Sequence, residues 1–430
     1  RHAKRSRQKN NACRHFTYYE VSTTISQNVN QVKYFQQKVC IYEKFILLYN
    51  KITDKATDIM TEIIIGAGAS GLAAAIRLKQ NIPEDEVIIL ERLDTPGKKI
   101  LATGNGRCNL SNTNAEHYKD VIDFFENIGL KTRIDDEGRI YPYSNQAATV
   151  RNILVKECEK LGVQIVSECT VNNVDKDLIV STDCGIYYGD SVIVATGGKA
   201  QSSLGSNGSG YDILKSLGHK ITKLSPALVQ LTSSSKYPRQ LKGQRVKGNM
   251  KILLDGECAA QDFGEILFTD YGLSGIVTMN LSETVSKNFE KDKPKKCHAV
   301  IDLASDFSEN ELLEHINRYG SLEGILGEKI SSLLEKQANG DKEKICKYAK
   351  NWQLIITGTK SYNFAQITCG GADTKEFRNF ESVKVENLYA CGEVLDKQFK
   401  CGGYNLNFAF WSGICVADSI LKKRKQNDKN

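Results

Sequence analysis

The stretch "TEIIIGAGASGLAAAIRLKQ" from Thr61 runs an apolar strand into a glycine turn and then a helix, and "EVIILE" follows as a second strand ending at Glu91. That order is a βαβ unit, and it commits the chain to a parallel sheet with helices on its faces. Gly66, Gly68 and Gly71 make the spacing GxGxxG at the strand-to-helix junction. Glycine there permits the tight turn, lets backbone approach a diphosphate, and packs the helix against the strand. Any tight turn uses glycines, so the spacing alone is weak. Its weight comes from context: twenty residues beyond Gly71, Glu91 stands where a carboxylate can bind ribose hydroxyls. An acidic residue there favours a free 2′-hydroxyl over a 2′-phosphate, an argument that the neighbouring Arg92 softens.

The rest of the chain is organised around this unit. "QAATVRNILVKECEKLG" has the 3.6-residue period of a helix with Gly162 as its stop, and "VQIV" and "SVIVAT" read as further strands. Between residues 201 and 351 the texture changes to alternating runs such as "NMKILLDGEC", followed by short amphipathic helices after Ser308. After Trp352 the strand "ENLYACGE" and the apolar helix "NFAFWSGICVADSIL" restore the α/β pattern. The expected architecture is a Rossmann-like α/β domain split into 60–200 and 352–424, with an inserted β-barrel-like domain and small helical subdomain over 201–351. The closing "KKRKQNDKN" reads as a frayed, solvated end.

Residues 1–59 carry 11 Lys/Arg against 4 Asp/Glu, whereas the remainder balances at 47 of each. The first methionine is Met60, and we read 1–59 as a basic extension outside the fold. Its one compact apolar run, Phe45 to Tyr49, is too short to span a bilayer. The neutral body argues against a broad nucleic-acid surface. Thirteen scattered cysteines without a CxxC point to free thiols in the cytoplasm rather than to disulfides or zinc. His117, His219, His298 and His315 lack metal-ligand spacing, so no metal site is expected.

Two more strand ends carry glycines, Thr196-Gly197-Gly198 and Gly392-Glu393. They suit a long cofactor with a ribityl chain lying across the sheet edge, which favours FAD over NAD. Here "PGKKILATGNGRCNLSN", "GRIYPYSNQAATV", "GSNGSGYDILKSLGH", "AQITCGGADTKEF" and "CGEVLDKQFKCGGYNLNFAFWSG" resemble the BaiN/YhiN-type FAD-dependent flavoproteins, from Met60 to about Leu421. The resemblance implies Gly66, Gly68, Ser70 and Gly71 at the diphosphate, with Glu91 at the adenosine ribose and Arg92 beside it. It implies Val171 beside adenine, and Lys99 with Thr103, Gly104, Gly106, Arg107, Cys108 and Asn109 on the flavin side. Thr196, Gly197 and Gly198 follow their strand; Gly392, Glu393 and Asp396 would lie near the ribityl chain, and Gly402, Gly403, Tyr404 and Asn405 near the ring. The chain departs from the resemblance at "KQFKCGG", where relatives carry a glycine-containing turn.

A flavin supplies redox chemistry, and the protein positions the substrate. Arg107 can orient a carbonyl or carboxylate and Tyr404 can donate a proton, so these are the candidate catalytic residues. Cys108 lacks a CxxC partner and reads as a packed small residue. The leading expectation is NAD(P)H-driven reduction of a small organic substrate. Alternatives are a dioxygen-using amine or aminoketone oxidase, and a flavin-containing nucleic-acid-binding or redox-sensing protein. With no second GxGxxG unit, NAD(P)H would have to dock without a Rossmann domain of its own.

Overall fold

The computed structural model describes residues 59–427. The basic extension, and the reading made of it, lie outside the described residues. Strand β1 (Thr61–Ile65) pairs in parallel with β2 (Glu86–Leu90), Ile63 facing Ile88. Helix α1 (Ala69–Asn81) connects them and ends where Ile82 precedes Pro83. Helix α2 (Ala147–Lys160) leads through Gly162, at φ +77°, into β3 (Gln164–Val166) beside β2. Strands β4 (Ser191–Val194) and β5 (Leu388–Ala390) extend the parallel sheet on the other side of β1. The order is β5-β4-β1-β2-β3, with two short antiparallel strands, Phe377–Arg378 and Glu381–Ser382, at the β5 edge.

Both faces of this sheet are buried, which is why its strands read as continuous apolar runs rather than alternating ones. Ile64, Ile89 and Ile193 face α1, α2 and the terminal helix α3 (Tyr404–Asn427). Ile63, Ile65, Leu90 and Val192 face the opposite layer, where Val174, Val180, Tyr211 and Leu214 meet them. That layer includes a three-stranded antiparallel sheet (Val171–Val174, Ile179–Thr182, Ile186–Tyr188) that the sequence reading did not anticipate. Helix α1 is sandwiched between sheet and α3, and the fit is close at glycines. A Cβ on Gly71 would stand 2.0 Å from the Gly66 carbonyl oxygen, and one on Gly413 of α3 would stand 2.2 Å from that of Ser70.

The insertion is a closed six-stranded barrel, in the order Leu231–Ser233, Gly272–Ser274, Glu257–Phe268, Arg245–Leu254, Cys297–Asp302 and Trp352–Thr359. Its core joins Met250, Ile266, Phe268, Ile301 and the fully buried Trp352 to the helices that follow, through Leu312, Leu334 and Ile345. The expected boundaries shift. Helix Ser209–Ser216 packs with the parallel sheet, and Trp352–Thr359, expected in the nucleotide domain, instead closes the barrel against Cys297–Asp302 and Leu231–Ser233. Without it the barrel would keep two open edges. The C-terminal reading also needs correction. Helix α3 continues to Asn427, with Lys423 bonded to Glu381 and Asn387 and Arg424 bonded to Glu62 and Asp85. These carboxylates hold the basic last turns on the body. Among the described residues no helix is long and apolar enough to cross a membrane, and all eleven cysteines are free.

Candidate cofactor cavity

A cavity of about 930 Å³ opens along the carboxyl ends of β1, β2 and β4, where Gly66, Glu91 and Thr196 lie on its wall. That edge is where open α/β sheets bind ligands. Gly66 sits at φ +105°, and a Cβ there would come within 2.7 Å of the Ala195 carbonyl oxygen. Gly68 is different: its hypothetical Cβ meets nothing closer than 3.9 Å, so that side of the turn is open. Helix α1 has no side-chain cap and no acidic residue in its first turn. Its leading N–H groups are therefore free to meet an anion.

Glu91 has a role that its spacing did not announce. One oxygen accepts from the Ala67 N–H and the other from the Leu93 N–H, both at 2.8 Å, so the carboxylate ties the glycine turn to the segment after β2 while lying on the wall. Arg92 reaches sideways to the carbonyls of Ser202 and Gly205. Val171 lines the same cavity, beside Thr170 and Cys169. Lys99 pairs with Glu393 at 2.9 Å, and Glu393 accepts a second bond from the Thr368 N–H.

The loop "TGNGRCN" owes its shape to left-handed backbone: Gly104, Asn105, Gly106 and Cys108 all have φ between 55° and 81°. Such a run persists only where surrounding structure holds it, and it is common at binding sites. Thr103, Gly104, Arg107 and Asn109 reach the wall, with the Arg107 guanidinium 5.0 Å from the Tyr141 ring centroid. Gly402, Gly403, Tyr404 and Asn405 bring the start of α3 to the same wall. Only a glycine fits at 403, where a Cβ would lie 2.4 Å from the Ser111 carbonyl oxygen. The Asn405 amide is spent on the loop before it, bonding the Phe399 N–H and carbonyl.

Six expected contacts are absent from the wall. Gly71 and Gly392 pack against Gly66 and Ser70, and Gly198 abuts Glu393 and Thr368. Gly106 faces open space. Cys108 is fully buried, its thiol pushed up to about 12 by that burial, which suits packing and not redox chemistry. Asp396 accepts from Gln398 at 2.7 Å. Conversely, the wall includes Gln230, which no spacing singled out.

Asn109, Thr196 and Gln230 each keep a buried side-chain oxygen with no hydrogen-bond partner, and all three residues line the cavity. Buried acceptors of this kind call for donors from a ligand. An uncapped helix start with an open side at Gly68 for a diphosphate, and a wall carrying unpartnered polar side chains, fit FAD.

Two other clusters stand out. His219 bonds Glu376 through Nδ1 at 3.1 Å and Ser382 through Nε2 at 2.9 Å, the outline of a nucleophile relay. The Ser382 oxygen, however, already accepts the N–H groups of Lys384 and Val385 and lies off the cavity wall, so the cluster is a buried cross-link. Cys169, Asp183 and Cys184 bring two thiols and a carboxylate within 4.8 Å of one another, a proximity their sequence spacing hides.

Comparison with known proteins supplies the family. The family described as HI0933-like protein Rossmann domain matches residues 116–419, and a NAD(P)-binding Rossmann-like domain matches 64–109. The 3-dehydro-bile acid delta(4,6)-reductase of Clostridium scindens is 33% identical over 406 residues, covering 84% of this chain and 98% of that protein. Proteins named ribosomal RNA dihydrouridine synthase, from Haemophilus influenzae and Escherichia coli, are 26% and 28% identical with the same coverage, 84% of this chain and 98% of each. With a family match over most of its length and a glycine turn, open helix start and orphan acceptors that fit the cofactor, the chain belongs to the HI0933-like Rossmann family and is an FAD-dependent oxidoreductase of the BaiN/YhiN type.

Proposed function

We propose that the chain reduces a carbon–carbon double bond conjugated to a carbonyl in a small organic substrate, with NAD(P)H as the electron source. One observation carries this reading. Leu228, Met279 and Ile367 pack together and supply an apolar stretch of the cavity wall beside the polar residue Gln230, which suits an apolar molecule with one polar edge. The names of the relatives support it, since a delta-reductase and a dihydrouridine synthase both add two hydrogens across a double bond.

FAD, when bound, supplies hydride transfer. The chain's own residues supply the rest. The α1 start holds the diphosphate, and the α3 start directs its positive dipole end at the cavity, favouring negative charge there. Arg107 orients the substrate carbonyl, and the Tyr404 hydroxyl donates the proton that completes the addition. The reaction balances as substrate, NAD(P)H and a proton giving saturated product and NAD(P)⁺. Eleven free thiols and no disulfide among the described residues support a reducing, cytoplasmic setting.

The test is an anaerobic titration of the FAD-loaded protein. Bleaching of the flavin by NADH or NADPH, followed by recovery on adding a conjugated enone, supports the reading. Bleaching by aminoacetone with peroxide on readmitting air would establish the oxidase instead. The relatives named for ribosomal RNA, with Arg107, Arg139, Lys397 and Lys400 on the wall, favour a uridine in RNA as a second reading. Salt-sensitive binding of RNA by residues 60–430, with gain of two hydrogens per uridine, would select it.

A further inference from the structure

Beside the large cavity of about 930 Å³ lies a second one of about 270 Å³. Asn114, Lys397, Lys400, Tyr404 and Phe408 belong to both walls, so the two spaces adjoin at the start of α3. The smaller cavity is built largely of rings. Phe399 and Phe408 stand 5.6 Å apart, and His117 stacks on Trp411 at 4.3 Å with only 7° between planes. His117 holds its place at φ +57°, a left-handed conformation that a non-glycine residue keeps only when neighbours impose it. Asn407, 4% exposed, helps impose it by donating to the Glu116 carbonyl.

Two ammonium groups overlie these rings. Lys397 Nζ lies 5.2 Å from the Phe408 centroid, and Lys400 Nζ lies 5.3 Å from that of Tyr404. Among the described residues neither has a carboxylate partner within 4 Å. Glu116 is the one acidic residue on the wall, and His117 Nδ1 lies 3.4 Å from the Asp120 carboxylate. Both lysines come from "KQFKCGG", the segment where the chain departs from the family it resembles. Asn405 and Asn280 hold that loop by its backbone, at Phe399 and at Cys401.

Aromatic walls that stack a base, cations free to move onto a phosphate, and a wall shared with the redox cavity describe a nucleotide subsite. We infer that this side cavity binds the adenosine-phosphate end of NAD(P)H, leaving the nicotinamide to reach the cofactor cavity across the shared wall. The inference rests on the reading of NAD(P)H as electron donor, and it answers how a chain with one glycine-turn unit could take up two dinucleotides. A pocket of about 270 Å³ favours a mononucleotide end over a strand of RNA.

The probe is ADP-ribose, with and without a 2′-phosphate, because it carries the adenosine phosphate but cannot reduce a flavin. Trp411 and the buried Trp352 are the chain's two tryptophans, so indole emission of the FAD-loaded protein reports on this pocket. Saturable quenching is expected, lost in Trp411→Phe while calorimetry still detects binding. The double variant Lys397→Gln, Lys400→Gln should bind at least tenfold more weakly and raise the KM for NAD(P)H by a similar factor, with less effect on kcat. Absence of ADP-ribose binding from a protein whose flavin NAD(P)H still bleaches would overturn the subsite, as would displacement of ADP-ribose by a short oligoribonucleotide at lower concentration than AMP. If NAD(P)H bleaches nothing, the donor reading fails by itself. ADP-ribose binding would then keep the nucleotide pocket and its absence would remove it.

Discussion

Arg424, near the end of α3, bonds the carboxylate of Glu62, which lies within β1 and is 1% exposed on its side chain. The same guanidinium bonds Asp85, so one side chain closes the first βαβ unit against the last helix. One Glu62 oxygen nevertheless remains buried without a partner. Burial pushes the Glu62 carboxyl up to about 7, with Arg424 pulling the other way.

The sign of the pH dependence follows. The folded chain holds the Glu62 proton more tightly than the unfolded chain, so this residue's contribution is fully present below the ordinary carboxylate range. It is lost as pH rises toward and through about 7. The full span is worth at most about 3 kcal/mol. Glu62→Gln should therefore gain stability relative to the parent by about 1–3 kcal/mol between pH 5 and pH 8. Urea midpoints at the two values test this, and a difference that stays flat with pH would refute it. Arg424→Met should cost about 3 kcal/mol or more at pH 8, because it leaves Glu62 and Asp85 buried without their guanidinium partner.

The glycine turn separates fold from binding. Gly71→Ala places a methyl where the Gly66 carbonyl oxygen stands 2.0 Å away, so it should cost about 3 kcal/mol and with it the ability to hold FAD. Gly68→Ala has free space around its new methyl and an ordinary backbone angle, φ −81°. The stability of the apo protein should stay within about 0.5 kcal/mol of the parent's. FAD affinity should nevertheless fall about tenfold, because the methyl occupies the approach to the diphosphate. Calorimetry with and without FAD distinguishes the two variants.

How much of this was legible before the structure varies with the range of the interaction. The βαβ unit could be read because Ile63, Ile64 and Ile65 are buried on both faces and leave a local signature. The barrel's closing strand could not be placed. Ile355 within it is 51% exposed, and its membership depends on pairing with Cys297–Asp302 far back in the chain. Gly402 and Gly403 lie on the cavity wall with φ of 119° and 98°, a backbone that glycine adopts without strain. Gln230 carried no signal, since its place on the cavity wall is set by the fold around it and not by its neighbours in sequence.

Gln230 offers a test of what fills the cavity. Its Oε1 is buried and unpartnered, so Gln230→Leu removes an unmet hydrogen-bonding need and should leave the apo protein as stable or slightly more so. Ligand binding should weaken by about tenfold, the worth of one buried hydrogen bond. A drop in FAD affinity would assign the residue to the cofactor, and a rise in substrate KM with FAD affinity unchanged would assign it to the substrate. No change in either would mean that the orphan oxygen has no ligand partner.

Tyr404 bears the heaviest chemical assignment, and its position allows the proton step to be isolated. It begins α3 on the wall of the large cavity, with Lys400 over its ring. If its hydroxyl delivers the proton that completes the double-bond reduction, Tyr404→Phe removes that donor and little else. The oxidative step should then run at the parent's rate while reduction drops by about a hundredfold, the lower range for loss of a general acid. Stopped-flow measurement divides the two: bleaching by NAD(P)H stays fast, and reoxidation by a conjugated enone becomes slow. In the parent, that second step should slow in deuterium oxide, and in Tyr404→Phe the solvent effect should change because water must replace the phenol as donor. Equal slowing of both half-reactions would instead make Tyr404 a cofactor-positioning residue, and the proton would have to come from elsewhere on the wall.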